Sequence, residues 1–551
     1  MKKIHIFFLV VFIIAACKKK EAPVVFTTYN ETALLEKQQN HKSSRMKFKL
    51  FQSKVLDMNE VFTPFEDDLA YFSEKEYNEL KPLIIEQNIP SIQKSVDAGK
   101  LTYEKLTLFY LYRIRKFESD STTSLNAIIS LNPNVLKEAR ERDKKRKEGY
   151  LGGEIVGYQI YGMPILLKDN INTAGMPTTA GALALQDNKN TEDAFIVKRL
   201  KEEGALILGK VNLSEWAYYF CSGCPLGYSA IGGQSLNPYG RGEFETGGSS
   251  ASSGTAVTAN YAVAAVGTET AGSITSPSSQ NSVVGLKPTV GLLSRTGIVP
   301  ISSTLDTPGP MTRNVVDNWI FLNAMIGYDK NDSKSFNFTT KPSYNFDEDL
   351  KGKRFGILKS YLQDSVFNAN INILKKAGAE IIELTPPQVG LSGFLTLLNI
   401  DMKHDLPEYL KNHADPKVTV RSVQDVIDFN IKDSTLRAPY GQQLFEGIVA
   451  DTTSLAHLQT IKKKLMTNAR NYFGSLDTEN LDAILSINNY HAAYSAVAEY
   501  PNLTVPMGYK KSGEPISLTF IGMPKKEMEL LLLGYAFEQL TKHRKLPANY
   551  E

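Results

Sequence analysis

The ten residues Tyr161–Asn170, YGMPILLKDN, place an apolar run directly before a lysine and two further polar residues. A short apolar run of this kind predicts a strand that is buried on both faces. The next segment predicts a helix that Thr191 caps and Gly204 ends, followed by another buried strand at 205–208. Strands that alternate with helices in this way predict an α/β fold whose sheet is covered by helices on both faces.

The composition is that of an ordinary globular protein. Of the 551 residues, 42% are hydrophobic and 22% are charged, which excludes a disordered, collagen-like or multi-span membrane chain. The net charge of +3 does not amount to the basic excess that nucleic-acid binding requires. The chain has only three cysteines, so a disulfide scaffold and a four-cysteine zinc site are excluded as well.

The N-terminal segment predicts export. Two lysines precede a largely apolar stretch, Ile4–Ala16, which is too short to span a bilayer as a helix. The sequence IAAC at 14–17 resembles a bacterial lipobox, so we expect residues 1–16 to be a signal peptide and Cys17 to carry the lipid. The protein would then be exported to the bacterial cell envelope and anchored to the membrane through its acyl chains only. An ordinary signal peptide with a chance cysteine is the alternative.

The rest of the chain divides into two parts by its pattern, and the second part contains a lobe. Residues 17–87 predict a polar tether and a helical addition without a catalytic cluster. A main domain is expected over 88–545, where an alternation of strand, helix and strand recurs at 354–384. Within this domain, residues 386–480 follow no regular pattern, and we expect them to form a variable lobe that faces the substrate.

Two turns of small residues carry candidate nucleophiles. The first turn reads GGSSASSG at 247–254 and the second reads GTETAGS at 267–273, so that Ser249 and Ser273 are presented 24 positions apart. Glycine lets backbone N–H groups approach a ligand, so such a turn can expose a hydroxyl and also hold a developing negative charge. Such a turn could also bind phosphate. However, neither turn fits the phosphate-binding motif G-x-x-x-x-G-K-[ST], since Lys287, the nearest downstream lysine, is followed by a proline.

A serine nucleophile needs a base, and the candidate is a lysine. None of the seven histidines lies between residues 41 and 404, although a later histidine could still reach the site in space, and no G-x-S-x-G elbow surrounds either serine. Lys168 ends the apolar run at 165–167. A desolvated lysine is held neutral and can accept a proton. We expect Lys168 to project from the end of the sheet, where ligands collect.

Six motifs, in their order and spacing, resemble the amidase signature family. The resemblance runs from about residue 90 to 325 and resumes at about 480 to 545, where PNLTVPMG at 501–508 is similar to a closing segment of the family. It therefore covers well over half of the chain. The six motifs are GMPILLKDN (162–170), TTAG (178–181), GGSS (247–250), GTETAGSI (267–274), GLKPT (285–289) and DTPGPM (306–311).

The resemblance implies an α/β fold with a mixed central β-sheet between helical layers, and an amidohydrolase with a Ser-cisSer-Lys triad. Carried over by position, Ser273 is the nucleophile that forms the acyl-enzyme, Ser249 follows a cis peptide bond and relays the proton, and Lys168 is the base. The substrate would be a small-molecule or peptide amide, cleaved to an acid and ammonia or an amine, with no metal or other cofactor. The oxyanion would be held by the backbone N–H groups of Thr270, Ala271, Gly272 and Ser273.

Two rival functions stay open. The glutamine-hydrolysing subunit of a tRNA amidotransferase belongs to the same family, but it works in the cytoplasm with partners, and the export signal argues against it. A catalytically lapsed, amidase-shaped binding lipoprotein is the second rival. Departures from the usual family sequence suggest it, among them Glu269 where Asp is common, Ala271 where Gly is common and Thr275 where Arg is common, although no triad residue is lost.

Several other polar residues have both structural and functional interpretations. Cys221 and Cys224 predict an internal disulfide or two packed thiols rather than zinc, because no second cysteine pair occurs. Asp306 is expected to fix a turn rather than to take part in acid–base chemistry. Two interpretations are open for Gln234, Asn237 and Arg313. They are either core polar groups with satisfied hydrogen bonds, or groups that orient the substrate or support the triad.

Overall fold

The structure is a computed structural model that describes residues 20–149, 159–338, 346 and 349–551. The predicted signal peptide at 1–16 and the predicted lipid-attachment residue, Cys17, lie outside these ranges. The strands are β1 (Ile128–Leu131), β2 (Pro164–Lys168), β3 (Leu206–Val211), β4 (Tyr228–Ser229), β5 (Gly233–Gln234), β6 (Ala264–Glu269), β7 (Val284–Lys287), β8 (Thr307–Thr312), β9 (Arg354–Leu358), β10 (Glu380–Leu384), β11 (Ala483–Ile487), β12 (Asn502–Tyr509) and β13 (Pro515–Ile521).

The α-helices account for most of the remaining regular structure. In the described part of the chain, no helix is both long enough and apolar enough to cross a membrane. The helices are α1 (Thr32–Gln39), α2 (Met58–Phe62), α3 (Glu66–Ala70), α4 (Glu74–Ile84), α5 (Ile89–Asp97), α6 (Tyr103–Glu118), α7 (Val135–Lys147), α8 (Phe195–Glu202), α9 (Ala251–Thr258), α10 (Thr275–Gln280), α11 (Val315–Met325), α12 (Ser365–Lys376), α13 (Phe394–Asn412), α14 (Val423–Ile431), α15 (Ser434–Arg437), α16 (Gln443–Ala450), α17 (Leu455–Tyr472), α18 (Ser475–Thr478), α19 (Ala492–Ala498) and α20 (Glu527–Thr541).

Eleven of these strands form one mixed sheet, in the order β1-β3-β2-β6-β8-β7-β12-β13-β11-β9-β10. Strand β2 pairs in parallel with β3 and β6, and β9 pairs in parallel with β10 and β11. The other neighbouring strands are antiparallel. Helices that include α9, α10, α11 and α20 pack against this sheet. The predicted α/β fold, with a mixed central sheet flanked by helices, is therefore confirmed.

The predicted strand in the segment 161–170 is β2, and it lies inside the sheet. All five of its residues are buried, as the unbroken apolar run predicts. Its parallel partners place Ile165 opposite Ala264 of β6 and Leu167 opposite Lys210 of β3. Because β2 lies between two strands, the lysine at its end is enclosed by both neighbours.

Helix α8 begins later than the sequence predicts. Its N-cap is Ala194, so the prediction that Thr191 caps it is wrong. The Ala194 N–H donates to the Asn172 carbonyl at 2.9 Å, and the Asp193 carboxylate accepts a backbone N–H from the same loop at 2.8 Å. These contacts bind residues 193 and 194 to the loop after β2, so the helix begins only after them. Gly204 follows the helix with a φ of +83°, as the sequence predicts.

A buried arginine joins the N-terminal addition to the main body. The Arg113 guanidinium of α6 is fully buried and donates to the Ala259 carbonyl at 2.8 Å. It also donates to the Tyr77 hydroxyl of α4 at 2.5 Å and to the Tyr550 carbonyl near the C-terminus. Phe62 of α2 belongs to the same hydrophobic cluster as the strand residues of the sheet. The described part of the addition therefore shares the main core.

The lobe at 386–480 is helical and consists of α13 to α18. Its periodicity is hard to see in the sequence because several of its helices are short and Pro407 lies inside α13. The apolar side chains of the lobe form a second hydrophobic cluster with residues of the main body. The Phe445 ring of α16 lies 5.3 Å from the Trp216 ring and 5.1 Å from the Phe220 ring, measured between centroids. The lobe is thus packed onto the segment that follows β3.

Candidate active site

Lys168 is buried at the C-terminal end of β2. Its side chain is 0% exposed, and its Nζ lies 2.8 Å from the Ser249 Oγ. The same Nζ donates to the Thr268 hydroxyl at 2.8 Å and to the Thr268 carbonyl at 3.2 Å. Burial lowers the pKa of Lys168 from its usual value to about 7, although the charges of Asp306 and Glu269 oppose this shift. The amine therefore gives up its proton near neutral pH.

The first serine turn carries Ser249 directly before α9. The Gly248–Ser249 peptide bond is cis, and Ser249 is fully buried. The Ser249 carbonyl accepts the Ser214 N–H at 3.0 Å. Gly247 has a φ of +64°, and a Cβ at this position would lie 2.7 Å from the backbone of Pro277. Only glycine fits this approach of the turn to α10 without a shift.

The second serine turn lies against the first. The Ser250 N–H donates to the Ser273 carbonyl at 3.1 Å. The Ser250 hydroxyl donates to the Thr268 carbonyl at 3.0 Å and accepts the Thr268 N–H at 3.1 Å. Ser273 itself is half-buried. These contacts join the backbone around Ser273 to the residues that surround the Lys168 amine.

Glu269 holds the far end of the second turn. One oxygen of its carboxylate, Oε2, accepts the Ile274 N–H at 2.7 Å, the Thr275 N–H at 2.8 Å and the Thr275 hydroxyl at 2.9 Å. Glu269 is 1% exposed. A carboxylate in this position satisfies the first N–H groups of α10, which have no partner within the helix. The loop 270–273 is therefore fixed at the residues that follow it.

Asp306 holds the same loop from the other side. Its Oδ1 accepts the Thr270 hydroxyl at 2.5 Å, and its Oδ2 accepts the backbone N–H groups of Ile301 and Ser302 at 2.8 and 2.9 Å. The expected structural role in a turn is confirmed by these contacts. The turn itself forms part of the cavity wall described below.

The remaining polar candidates of the sequence bind backbone carbonyls. The Gln234 amide donates to Leu226 at 2.7 Å, and the Asn237 amide donates to Glu245 at 2.9 Å. Arg313 donates to a carbonyl of the core at 2.7 Å. These hydrogen bonds of the three side chains go to backbone carbonyls and not to Lys168, Ser249 or Ser273.

Cys221 and Cys224 form a disulfide, with their Cα atoms 5.9 Å apart. The disulfide is one of the two states that the sequence predicts for these cysteines. Directly before it, Trp216, Ala217 and Tyr218 all have positive φ values of 50°, 54° and 75°. Three successive non-glycine residues in this region are unusual, and no sequence pattern marks them.

A cavity of about 450 Å³ opens beside the second serine turn. Thr268 and Thr270 line it, whereas Lys168, Ser249 and Ser273 do not. Its other walls include Asn170, Ala217, the segments 295–303, 306–308 and 331–333, and helix α13 of the lobe. Sequence reasoning missed the individual α13 residues, because Asp405, Tyr409 and their neighbours belong to no motif. In the described ranges, no group of three or more His, Cys, Asp or Glu side chains is placed to hold a metal ion.

Comparisons with known proteins agree with the fold and with the motifs. The model of the Amidase family matches residues 105–493. A protein named "Probable amidase" from Arabidopsis thaliana is 37% identical over 481 residues, which are 84% of this chain and 92% of that protein. An amidase family protein from Bacillus anthracis str. Ames has a TM-score of 0.83 at 39% identity, covering 90% of this chain and 99% of that chain. The native peptide amidase from Stenotrophomonas maltophilia has a TM-score of 0.78 at 38% identity, covering 84% and 98%.

The fold and these matches define a hydrolase that acts on amide bonds. The range matched by the family model contains both serine turns, Lys168 and the whole helical lobe. The chain belongs to the amidase family.

Replacement of the Glu269 carboxylate tests how the loop 270–273 is held. Glu269→Ala leaves the N–H groups of Ile274 and Thr275 buried without this acceptor, so we expect the free energy of unfolding to fall by about 3 kcal/mol. Glu269→Gln is the matched control, because it keeps an acceptor oxygen of similar shape and should lose clearly less. Urea unfolding of the three proteins measures the difference. Equal losses in the two variants would contradict the assigned hydrogen bonds.

Proposed function

We propose that the chain is an amidohydrolase that cleaves a carboxylic amide to an acid and ammonia or an amine through a serine acyl-enzyme. The observation that carries the proposal is the 2.8 Å contact between the buried Lys168 Nζ and the Ser249 Oγ. The hydrogen bond from Ser250 to the Ser273 carbonyl supports it, because it keeps the two serine turns together. In this proposal Ser273 is the nucleophile, Ser249 relays protons and Lys168 is the base.

The neutral form of Lys168 suits the contacts around its nitrogen. A neutral amine has two N–H groups and one lone pair. The N–H groups can donate to the hydroxyl and the carbonyl of Thr268, at 2.8 and 3.2 Å. The lone pair is then left to accept the Ser249 hydroxyl, which lies 2.8 Å away. Lys168 is thereby oriented to take its proton from Ser249.

The first chemical step forms a bond between the Ser273 Oγ and the amide carbon. The Ser273 proton passes to Ser249 as the Ser249 proton passes to Lys168. The carbonyl oxygen becomes an oxyanion, which the backbone N–H groups of residues 270–273 bind, and one such donor is worth about 3 kcal/mol. The C–N bond then breaks, and the proton returns through Ser249 to the leaving nitrogen. Water repeats the sequence on the ester and releases the acid.

Two alternatives differ from this proposal in what they hydrolyse. A lapsed binding lipoprotein would release no ammonia from any amide, whereas retention of all three triad residues favours turnover. A glutaminase-type amidotransferase subunit would favour free glutamine over simple amides. Ammonia release from glutamine and from neutral aliphatic and aromatic amides therefore separates the three functions.

Loss of the Ser273 hydroxyl tests the nucleophile. We expect Ser273→Ala to lower the rate of ammonia release at least about a thousandfold, because no acyl-enzyme can form. Its circular dichroism spectrum and unfolding curve should match those of the wild type. Ser512→Ala, which truncates an exposed serine in the turn between β12 and β13, is the matched control and should keep full activity. Turnover by Ser273→Ala at the wild-type rate would show that another residue is the nucleophile.

The pH profile tests the base. We expect kcat/KM for a neutral amide to rise with pH, with a midpoint of about 7, because only the deprotonated Lys168 accepts the Ser249 proton. Below the midpoint the value should fall about tenfold for each pH unit. Asp306→Asn removes a charge that keeps the Lys168 pKa from falling further, so its midpoint should lie at a lower pH. A flat profile from about pH 5 to about pH 9 would contradict this assignment.

We also propose that the chain is an exported lipoprotein held to the membrane at Cys17. The support is the N-terminal sequence, with two lysines, an apolar stretch and IAAC at 14–17. Metabolic labelling with a tagged fatty acid, followed by cell fractionation, tests it. The wild type should be labelled and sediment with membranes, and Cys17→Ser should be neither labelled nor sedimented. An unlabelled wild type that is cleaved and released would favour the ordinary signal peptide.

A further inference from the structure

The cavity beside the second serine turn is large enough to hold more than an amide group. Its volume of about 450 Å³ is in the range of small-molecule binding sites. Thr268, which binds the Lys168 amine, and Thr270, at the start of the loop 270–273, both line it. When the leaving group is ammonia, a substrate group in this cavity belongs to the acyl part of the amide. The cavity therefore bears on which acyl groups the enzyme accepts.

The wall of this cavity has an excess of negative charge. Four carboxylates line it, from Asp306, Asp332, Asp405 and Glu408, and the lining includes one arginine, Arg295, and no lysine. His413 also lines the cavity, but burial lowers its pKa and so favours the neutral imidazole. All three nitrogens of the Arg295 guanidinium donate hydrogen bonds, two of them to Asp332 and one to the Ser303 carbonyl. Pairing of Arg295 with Asp332 leaves Asp306, Asp405 and Glu408 without an ion-pair partner among the described residues of the lining, although the charge of Arg295 also acts on Asp306 and Asp405.

The two carboxylates of α13 differ in exposure: Glu408 is exposed, whereas Asp405, like Asp306, is half-buried. Asp405 accepts the Ser303 N–H at 2.6 Å, and Glu408 accepts the Asn412 amide at 3.0 Å. In the described ranges, no lysine or arginine forms an ion pair with either of them. Burial raises the pKa of Asp405 to about 7, and the neighbouring charges of Asp401 and Asp306 act in the same direction. A cation beside Asp405 would relieve this repulsion.

A further acceptor lies at the inner wall. Asn170 lines the cavity and is 2% exposed, and its amide donates to the Thr268 hydroxyl at 3.1 Å. Its buried Oδ1 has no hydrogen-bond partner among the described residues. A buried carbonyl oxygen without a partner is costly, and a bound N–H donor would satisfy it. This second observation, independent of the carboxylates, also favours a donor-rich ligand.

We propose that this cavity binds a cationic group, an ammonium or a guanidinium, in the acyl part of the amide substrate. The inference rests on the proposed function and names its substrate class: amides of basic amino acids, or of short peptides that carry such a group. Opposite charges at short range attract, and the attraction is stronger beside the half-buried Asp405 than beside the exposed Glu408. An anionic acyl group would instead meet these carboxylates. Free glutamine would find no unpaired cation in the lining for its carboxylate.

Three primary amides that differ mainly in charge test the proposal. They are the α-amides of N-acetyl-arginine, of N-acetyl-citrulline, which has nearly the same shape without the charge, and of N-acetyl-glutamic acid. Ammonia release is measured at low salt and about pH 8.5, where the Asp405 carboxyl is ionised. We expect kcat/KM for the arginine amide to exceed that for the citrulline amide by about tenfold, and the glutamic acid amide to be poorest. The lysine amide distinguishes an ammonium from a guanidinium preference.

Charge-removing variants then locate the preference. Asp405→Asn and Glu408→Gln should each lower the ratio of kcat/KM between the arginine and citrulline amides several-fold, about threefold or more. The ratio cancels any common effect on the base. Glu446→Gln is the matched control, because it removes the same charge from an exposed side chain of α16 that does not line the cavity. Raised salt should also lower the ratio in the wild type.

The outcomes separate this inference from the proposed function. Equal kcat/KM values for the arginine and citrulline amides, or a preference for the glutamic acid amide, would overturn the cationic assignment while leaving amide hydrolysis intact. A ratio that falls as much in Glu446→Gln as in Asp405→Asn would also overturn it. If neither these amides nor simple neutral amides release ammonia, the proposed function itself is wrong.

Discussion

Lys168 can accept a hydrogen bond from Ser249 only because water is kept away from the lysine amine. A solvated lysine near neutral pH is an ammonium with no lone pair, and it could only donate to the serine. At the buried end of β2 the charged form is disfavoured, and the pKa falls to about 7. The proposed chemistry therefore depends on the position of one strand between two others. Both serine turns are arranged around that desolvated nitrogen.

A second buried lysine nearby shows how a carboxylate partner changes the pKa of a buried amine. Lys210 of β3 lies opposite Leu167, one residue before Lys168, and is equally buried. Its Nζ forms an ion pair with Asp169 at 3.3 Å, so the carboxylate offsets the burial that lowers the Lys210 pKa. In the described ranges, no carboxylate lies within ion-pair distance of Lys168. Two lysines on adjacent strands thus differ in character because only Lys210 has a carboxylate within ion-pair distance.

Much of the fold could be predicted from the sequence because it is encoded locally, whereas the contact between Lys168 and Ser249 is implied by the resemblance to the amidase signature family. The apolar run before Lys168 and the small residues around Ser249 each have a direct physical meaning. The start of α8 could not be predicted, because tertiary hydrogen bonds to Asn172 decide it instead of the capping propensity of Thr191.

The cavity wall could not be predicted, since it brings together segments that are distant in the chain. Arg295 and Asp332, which pair there, are 37 positions apart, and Asp405 comes from a helix whose pattern Pro407 interrupts. Substrate recognition is therefore the part of this protein that its sequence motifs describe least. The motifs contain the proposed reacting groups, whereas the wall depends on how the lobe is packed.

The arginine that joins the two ends of the chain has a consequence for how the protein unfolds. Arg113 donates at once to α4 near the start, to the core at Ala259 and to Tyr550 near the end. Release of any one partner leaves part of a buried guanidinium unsolvated, which is costly. The N-terminal addition and the C-terminal residues should therefore melt together with the main body in one cooperative transition. The addition is therefore part of the folded core. A chain shortened to begin at the main domain would lack the Tyr77 hydroxyl that binds Arg113.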